Sequence, residues 1–136
     1  MSFSVTRPLR FGDCDPSGIA YFPSYLNILV GVVEEFFASL GAPWPRLTTE
    51  ERIGTPTIRL DCTFKSPGMH GMEMLFTIHV RAVGRTSLDL FHEVSHEGQL
   101  LWSAEQRLVA TSLETHKSCP WPDALRQALS ARIETD

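Results

Sequence analysis

Residues 23–40, PSYLNILVGVVEEFFASL, limit the fold more than any other part of the chain. Leu26, Leu29, Val33, Phe36 and Leu40 recur at helical spacing, and Ile28, Val32 and Phe37 widen the apolar stripe over most of the circumference. Pro23 suits a first helical turn, and Gly41 followed by Pro43 marks a stop. Eighteen residues at 1.5 Å each make a rod of about 27 Å. A helix apolar on so much of its surface cannot simply rest on a neighbour. It needs a broad surface wrapped around it.

The rest of the chain supplies that surface. Phe3, Val5, Arg7, Leu9 and Phe11 alternate with period two, so a first strand is expected over residues 3–11, with Pro8 placing it at an edge or a bulge. After the helix, residues 55–64 alternate with Ile58, Leu60, Cys62 and Phe64 on one face. Met74, Phe76, Ile78, Val80 and Ala82 mark a third strand, and Leu88, Leu90 and Val94 a fourth. His96-Glu97-Gly98-Gln99 reads as a hairpin turn, and residues 100–113 as a long fifth strand. Residues 122–134 read as a short helix with Asp123 near its start and Arg132 near its end, the favourable order for the helix dipole. The expected class is α+β: one long helix held by a curved, mainly antiparallel five-stranded sheet, with a short C-terminal helix.

With 136 residues the chain is expected to form a single domain, residues 1–136. It carries 12 Lys and Arg against 16 Asp and Glu, a net charge of −4, which argues against a general nucleic-acid binder. Cys14, Cys62 and Cys119 contain no C-x-x-C pair, so neither a disulfide framework nor a Cys-rich zinc site is expected. The opening MSFSVTRPLRF lacks the apolar core of a signal peptide, and the apolar run near Ile28–Val33 is too short to cross a bilayer. A soluble, cytoplasmic protein with no membrane partner is expected.

The chemistry is concentrated in RFGDCDPSGIAYFP, residues 10–23, which joins the first strand to the helix N-terminus. A helix start presents unpaired N–H groups and partial positive charge, suited to an anion or a developing oxyanion. A carboxylate a few residues earlier can act as nucleophile or general base on whatever those groups polarise. Gly18 permits close backbone approach. On residue types alone the alternative is a plain turn, in which either aspartate bonds the local backbone.

The segment resembles the signature of the 4-hydroxybenzoyl-CoA thioesterase family of hot-dog folds, carried here by Asp13, Asp15, Gly18, Tyr21, Phe22, Pro23 and Tyr25. Gly54-Thr55-Pro56 and the order of elements agree with the same family along nearly the whole chain. The resemblance implies a hot-dog domain acting as an acyl-CoA thioesterase on aromatic or short to medium acyl groups. It assigns the nucleophile or general base to Asp15 and the oxyanion donor to the backbone N–H near Phe22, with Gly18 assisting, and places Tyr21 and Tyr25 in the substrate site. Asp13 matches a second acidic position, read as structural. Many relatives have His or Tyr where this chain has Phe22, so a backbone donor survives but any polar side-chain role is lost. Gly84-Arg85-Thr86-Ser87 resembles the family's phosphate-contacting turn; Arg85, Thr86 and Ser87 are the expected CoA-binding residues, and Arg81, Lys65 and Lys117 rank below them. The family further implies a homo-oligomer, dimer or tetramer, with sheets joined edge to edge and active sites between protomers. No cofactor is implied, since CoA is part of the substrate.

Two other features bear on the same question. Glu34 and Glu35 fall off the apolar stripe with Asn27, Gly31 and Ala38, and read as a solvated or interface-facing pair. His92 and His96, four apart on a strand, stand about 13 Å from each other, too far to share one metal ion, and no metal site is expected. Two rival functions remain: a thioesterase acting on acyl-carrier-protein thioesters, and a non-catalytic acyl-CoA-binding subunit. A carboxylate beside an oxyanion site argues against the second.

Overall fold

In chain order the elements are β1 (Phe3–Pro8), α1 (Phe22–Ser39), α2 (Trp44–Thr49), β2 (Ile53–Gly54), β3 (Thr57–Phe64), β4 (Glu73–Val83), β5 (Ser87–His96), β6 (Gln99–Val109), β7 (Thr111–Ser112) and α3 (Asp123–Ser130). They are seen in a computed structural model that describes residues 2–133. Five strands form one antiparallel sheet in the order β1-β4-β5-β6-β3, and β2 pairs with β7 separately.

Helix α1 begins and ends one residue ahead of the predicted span. It stops where Gly41 turns left-handed (φ 79°) and the Gly41 and Ala42 amides donate to Ala38 O and Phe37 O. Tyr25, Leu29, Val32, Val33, Phe36 and Phe37 are its buried residues. They meet the inner face of the sheet, where Val5, Phe76, Val94, Trp102 and Phe64 form one cross-strand row and Phe3, Ile78, His92, Ala104 and Cys62 the next. Two ring contacts fix the helix over these rows, Tyr25 on Trp102 at 5.2 Å and Phe36 on Phe3 at 5.5 Å.

The expected strand boundaries need correction in four places. β1 ends at Pro8 rather than residue 11, because Leu9 turns inward to donate to Met72 O and residues 11–13 form a 3-10 turn. β3 starts at Thr57 and is an edge strand with a bulge between Thr57 and Arg59. Its Ile58, Leu60 and Phe64 remain 61%, 38% and 50% exposed. The fifth strand breaks at buried Ala110, whose amide bonds Thr86 O, and Thr111–Ser112 leave to pair with Ile53–Gly54. Helix α3 stops at Ser130 and Ile133 bridges to Val80, so Arg132 lies past the helix; the predicted terminus at Glu134 is outside the described residues. Pro8 does close an edge strand, and Glu97 and Gly98, both at positive φ, make the expected hairpin turn between β5 and β6. Helix α2 escaped the sequence reading because six residues show no stripe.

One polar pair sits inside the apolar interior. His92 Nε2 lies 2.7 Å from Gln106 Oε1, and Gln106 Nε2 donates to Thr57 Oγ1 at 2.9 Å. The amide oxygen can only accept, so Nε2 carries the proton, while Nδ1 has no partner among the described residues. Burial pushes the imidazole down to about 4, outweighing the Gln106 hydrogen bond. Since the folded value lies below the unfolded 6.5, the unfolded chain takes up this proton first as pH falls. The stability tied to neutral His92 is therefore complete above about pH 6.5 and lost progressively toward pH 4, by about 3 kcal/mol in all. Urea midpoints measured from pH 7 to pH 4.5 should fall, and His92→Leu should flatten that fall while lowering the midpoint at neutral pH.

Candidate active site

The connection from β1 to α1 is a small hairpin held against residues 68–72. Cys14 pairs with Ala20, Ile19 with Met69, and the Ala20 amide donates to Gly68 O at 2.9 Å. At the tip, the Asp15 amide donates to Ile19 O and the Gly18 amide to Asp15 O, both at 2.9 Å, with Gly18 at φ 82°. That left-handed conformation strains any residue with a Cβ, which accounts for glycine here. Asp13 shapes the turn: its Oδ2 accepts the Arg10 amide at 3.0 Å, and its carbonyl accepts the Tyr21 amide at 2.9 Å.

Asp15 stands at this tip, half-exposed, and its side chain makes the contacts of the plain-turn reading. Its Oδ1 accepts the Ser17 amide at 2.8 Å and also the Ser17 hydroxyl, an Asx-turn. The Ser17 hydroxyl first, then the Ser17 amide, hold its carboxyl below the usual carboxylate range; slight desolvation opposes them and the Ile19 amide assists. The group is an anion at neutral pH. Its neighbour Cys14 is the opposite case: burial, then the charges of Asp13 and Asp15, raise the thiol, so it stays protonated and unreactive.

The helix start supplies the electrophilic half. Tyr21 caps α1 without a side-chain hydrogen bond, Pro23 has no N–H, and the Ser24 amide donates to Tyr21 O at 2.8 Å. Among the described residues the Phe22 amide donates to nothing. The Gly18 amide, expected to assist an oxyanion, is already engaged within its turn. The free donor is therefore the one at Phe22, at the positive end of an 18-residue helix.

Beside that donor opens a cleft of about 290 Å³, bounded by Ile19, Phe22, Tyr25, Phe64 and Lys65 among others. Phe22 meets Phe64 edge to face at 6.2 Å, and Phe64 stacks on both Tyr25 (6.2 Å) and Trp102 (5.8 Å). Tyr25 is a wall: it is buried, its hydroxyl accepts the Gly68 amide at 3.0 Å, and burial raises its pKa. A Cβ on Gly68 would stand 2.2 Å from that hydroxyl, so the position admits only glycine without a shift. Tyr21, by contrast, is 56% exposed, with its ring 6.2 Å from Phe22. Phe64 and Ile19 were not foreseen as site residues. The alternation of residues 55–64 marked Phe64 as apolar and inward, but not as standing at an edge beyond the helix.

Arg85, Thr86 and Ser87 lie elsewhere. They form the β4–β5 hairpin tip, where the Gly84 amide donates to Ser87 O, the Ala110 amide to Thr86 O and the Trp121 amide to Arg85 O. The Asp15 turn packs at the start of β4 and this tip lies at its end, about 33 Å along the strand. Within one chain the two are not brought together. Glu34 and Glu35 are exposed on α1, and Glu35 pairs with Arg7. Lys117 sits in the turn after β7, where its carbonyl accepts the Ser112 amide.

The chain resembles known proteins over most of its length. The family model of the thioesterase-like superfamily matches residues 9–129. The 4-hydroxybenzoyl-CoA thioesterase of Pseudomonas sp. (strain CBS-3) is 30% identical over 96 residues, 69% of this chain and 68% of its own. The 1,4-dihydroxy-2-naphthoyl-CoA hydrolase of Synechococcus elongatus is 23% identical over 128 residues, 93% of this chain and 94% of its own. A thioesterase-superfamily structure from Jannaschia sp. CCS1 superposes with a TM-score of 0.91 at 25% identity, covering 98% of this chain and 94% of that one.

Proposed function

This chain belongs to the thioesterase-like superfamily, a hot-dog-fold thioester hydrolase, and from that premise we propose that it hydrolyses aromatic acyl-CoA thioesters with Asp15 as nucleophile. The observation that carries the reading is the unpaired Phe22 amide at the start of α1, seven residues after an ionised Asp15. The thioester oxygen accepts that N–H at the positive helix end while the carbonyl carbon faces the carboxylate. Attack by an Asp15 oxygen forms the acyl C–O bond, breaks the C–S bond and releases the CoA thiolate. Water then cleaves the mixed anhydride, restoring the carboxylate and freeing the acid. The lowered pKa keeps the carboxylate ionised near neutral pH, the form that attacks directly.

The aromatic walls of Phe22 and Phe64 support a ring-bearing acyl group, as do relatives named for hydroxybenzoyl and dihydroxynaphthoyl thioesters. Within one chain the cleft is at the low end of the roughly 300–1,000 Å³ usual for ligand pockets. A second copy of the chain completes the site. The outer edge of β3 has no strand partner among the described residues, its Ile58, Leu60 and Phe64 are exposed, and Arg85 is too distant to serve the Asp15 of its own chain. Thiol release from benzoyl-, hydroxybenzoyl- and palmitoyl-CoA tests the reading. Aromatic substrates should exceed palmitoyl-CoA at least about tenfold in kcat/KM, the scale on which pocket fit discriminates. Preference for palmitoyl-CoA would overturn it.

A further inference from the structure

On the outer face of the sheet, away from the helix, one cross-strand row carries two arginines and one aspartate. Arg59 on β3 stands opposite Arg107 on β6, which stands opposite Asp89 on β5. Arg107 holds Asp89 through two bonds, Nε at 2.6 Å and a terminal nitrogen at 2.8 Å. That fork uses up the one carboxylate in the row. Arg81, from β4, lies over the Phe91 ring at 4.7 Å, and the contact orients its guanidinium. Among the described residues neither Arg59 nor Arg81 donates a hydrogen bond to a carboxylate. The three arginines border a cleft of about 190 Å³, whose lining also includes Asp89 and a second carboxylate, Glu105.

Like charges directly across a sheet are destabilising, and Asp89 offsets the Arg59–Arg107 juxtaposition only in part, since its two oxygens are both held by Arg107. The backbone nevertheless departs from regularity on both sides of this row. β3 bulges between Thr57 and Arg59, and β4 bulges between Val80 and Ala82, with Arg81 as the extra residue. Bulges re-aim side chains and are common beside functional sites. Here two of them flank the same Asp89–Arg107 pair and set Arg59 and Arg81 around one opening, in a chain whose net charge is −4. Pairing along the β3 edge extends the sheet in its own plane and leaves this face open.

We propose that Arg59, Arg81 and Arg107 form a phosphate-binding site on the outer face of the sheet, distinct from the Asp15 cleft. Guanidinium groups offer planar pairs of N–H donors matched to phosphate oxygens, and Asp89 holds the central one in position. The ligand chemistry is a phosphate or diphosphate group. It comes either from the nucleotide end of CoA, an option that rests on the thioesterase reading, or from a separate phosphorylated molecule.

Calorimetric titration of the full chain with inorganic phosphate, ADP and CoA tests this, using native protein and the double variant Arg59→Gln/Arg81→Gln. Neither side chain donates a hydrogen bond among the described residues, and unchanged thermal unfolding will establish that the variant is folded. The Arg59→Lys/Arg81→Lys pair keeps the charge but loses the fork, and should restore part of the affinity. Loss of charge-assisted bonds should weaken ADP binding at least about tenfold. If CoA weakens with ADP, the phosphates are those of the substrate; if ADP and phosphate weaken while CoA does not, the ligand is a separate one. If neither ADP nor phosphate binds, or the Gln variant binds them as tightly as native protein, the proposal is overturned. These readouts need no turnover, so failure of the hydrolase assignment would leave them interpretable.

Discussion

Asp15→Asn is expected to lower kcat for the best aromatic thioester by about 10²–10⁴ with little change in thermal stability. The substitution is nearly isosteric, and the Asn Oδ1 can still accept the Ser17 amide and hydroxyl, so the turn keeps its shape. The charge and the nucleophilic oxygen are lost. Binding of CoA should persist, because no phosphate-contacting candidate lies in this turn. A stopped-flow comparison adds a sharper criterion: native enzyme that forms an anhydride can release a burst of thiol, and the Asn variant cannot. Activity retained in Asp15→Asn would move the carboxylate elsewhere on the chain, and Glu34 and Glu35 would be the next to replace. Both are exposed on α1, and no observation in the structure directs them at the cleft.

Trp102→Ala is expected to cost about 3–5 kcal/mol, the range for truncating a large buried aromatic, and to lower Tm by roughly 10 °C or more. Trp102 is fully buried in the inner row between Val94 and Phe64, with Tyr25 at 5.2 Å, Phe64 at 5.8 Å and Phe76 at 6.3 Å. Its removal takes away the surface on which the Tyr25 and Phe64 walls rest, so KM for aromatic substrates should rise as well. Trp102→Phe separates packing from polarity. The indole Nε1 is buried without a partner among the described residues, and Phe removes that unsatisfied donor along with some volume. The Phe variant should therefore retain most of the stability that Ala loses. Equal losses in the two variants, measured by urea unfolding, would mean that ring packing at this position matters less than the geometry implies.

The long helix and the alternating strands were legible because each rests on a local period, and periodicity is written residue by residue. The Asp15 turn was legible because its residue types and the helix start adjoin in the chain. Phe64 was only half legible: alternation marks the face of a strand, but whether a helix covers that face depends on where the strand falls in the sheet. The same reason hid the break at Ala110, whose hydrogen bond goes to Thr86, 24 positions away in the chain. It also hid the use of the Gly18 amide, which a sequence leaves formally free.

The arginine row makes the same distinction most sharply. Arg59, Arg81 and Arg107 are widely separated in the chain and belong to no motif, and only antiparallel register with two bulges gathers them on one face. The sequence by itself determined the α+β class, the wrapped helix and the carboxylate placed just before the helix start, since these follow from neighbours along the chain. Tertiary structure alone decided which amide stayed unpaired, which aromatic rings became cleft walls, and which charges met. Those outcomes depend on hydrogen bonds and contacts between residues far apart in sequence, for which one chain read in order carries no local signal.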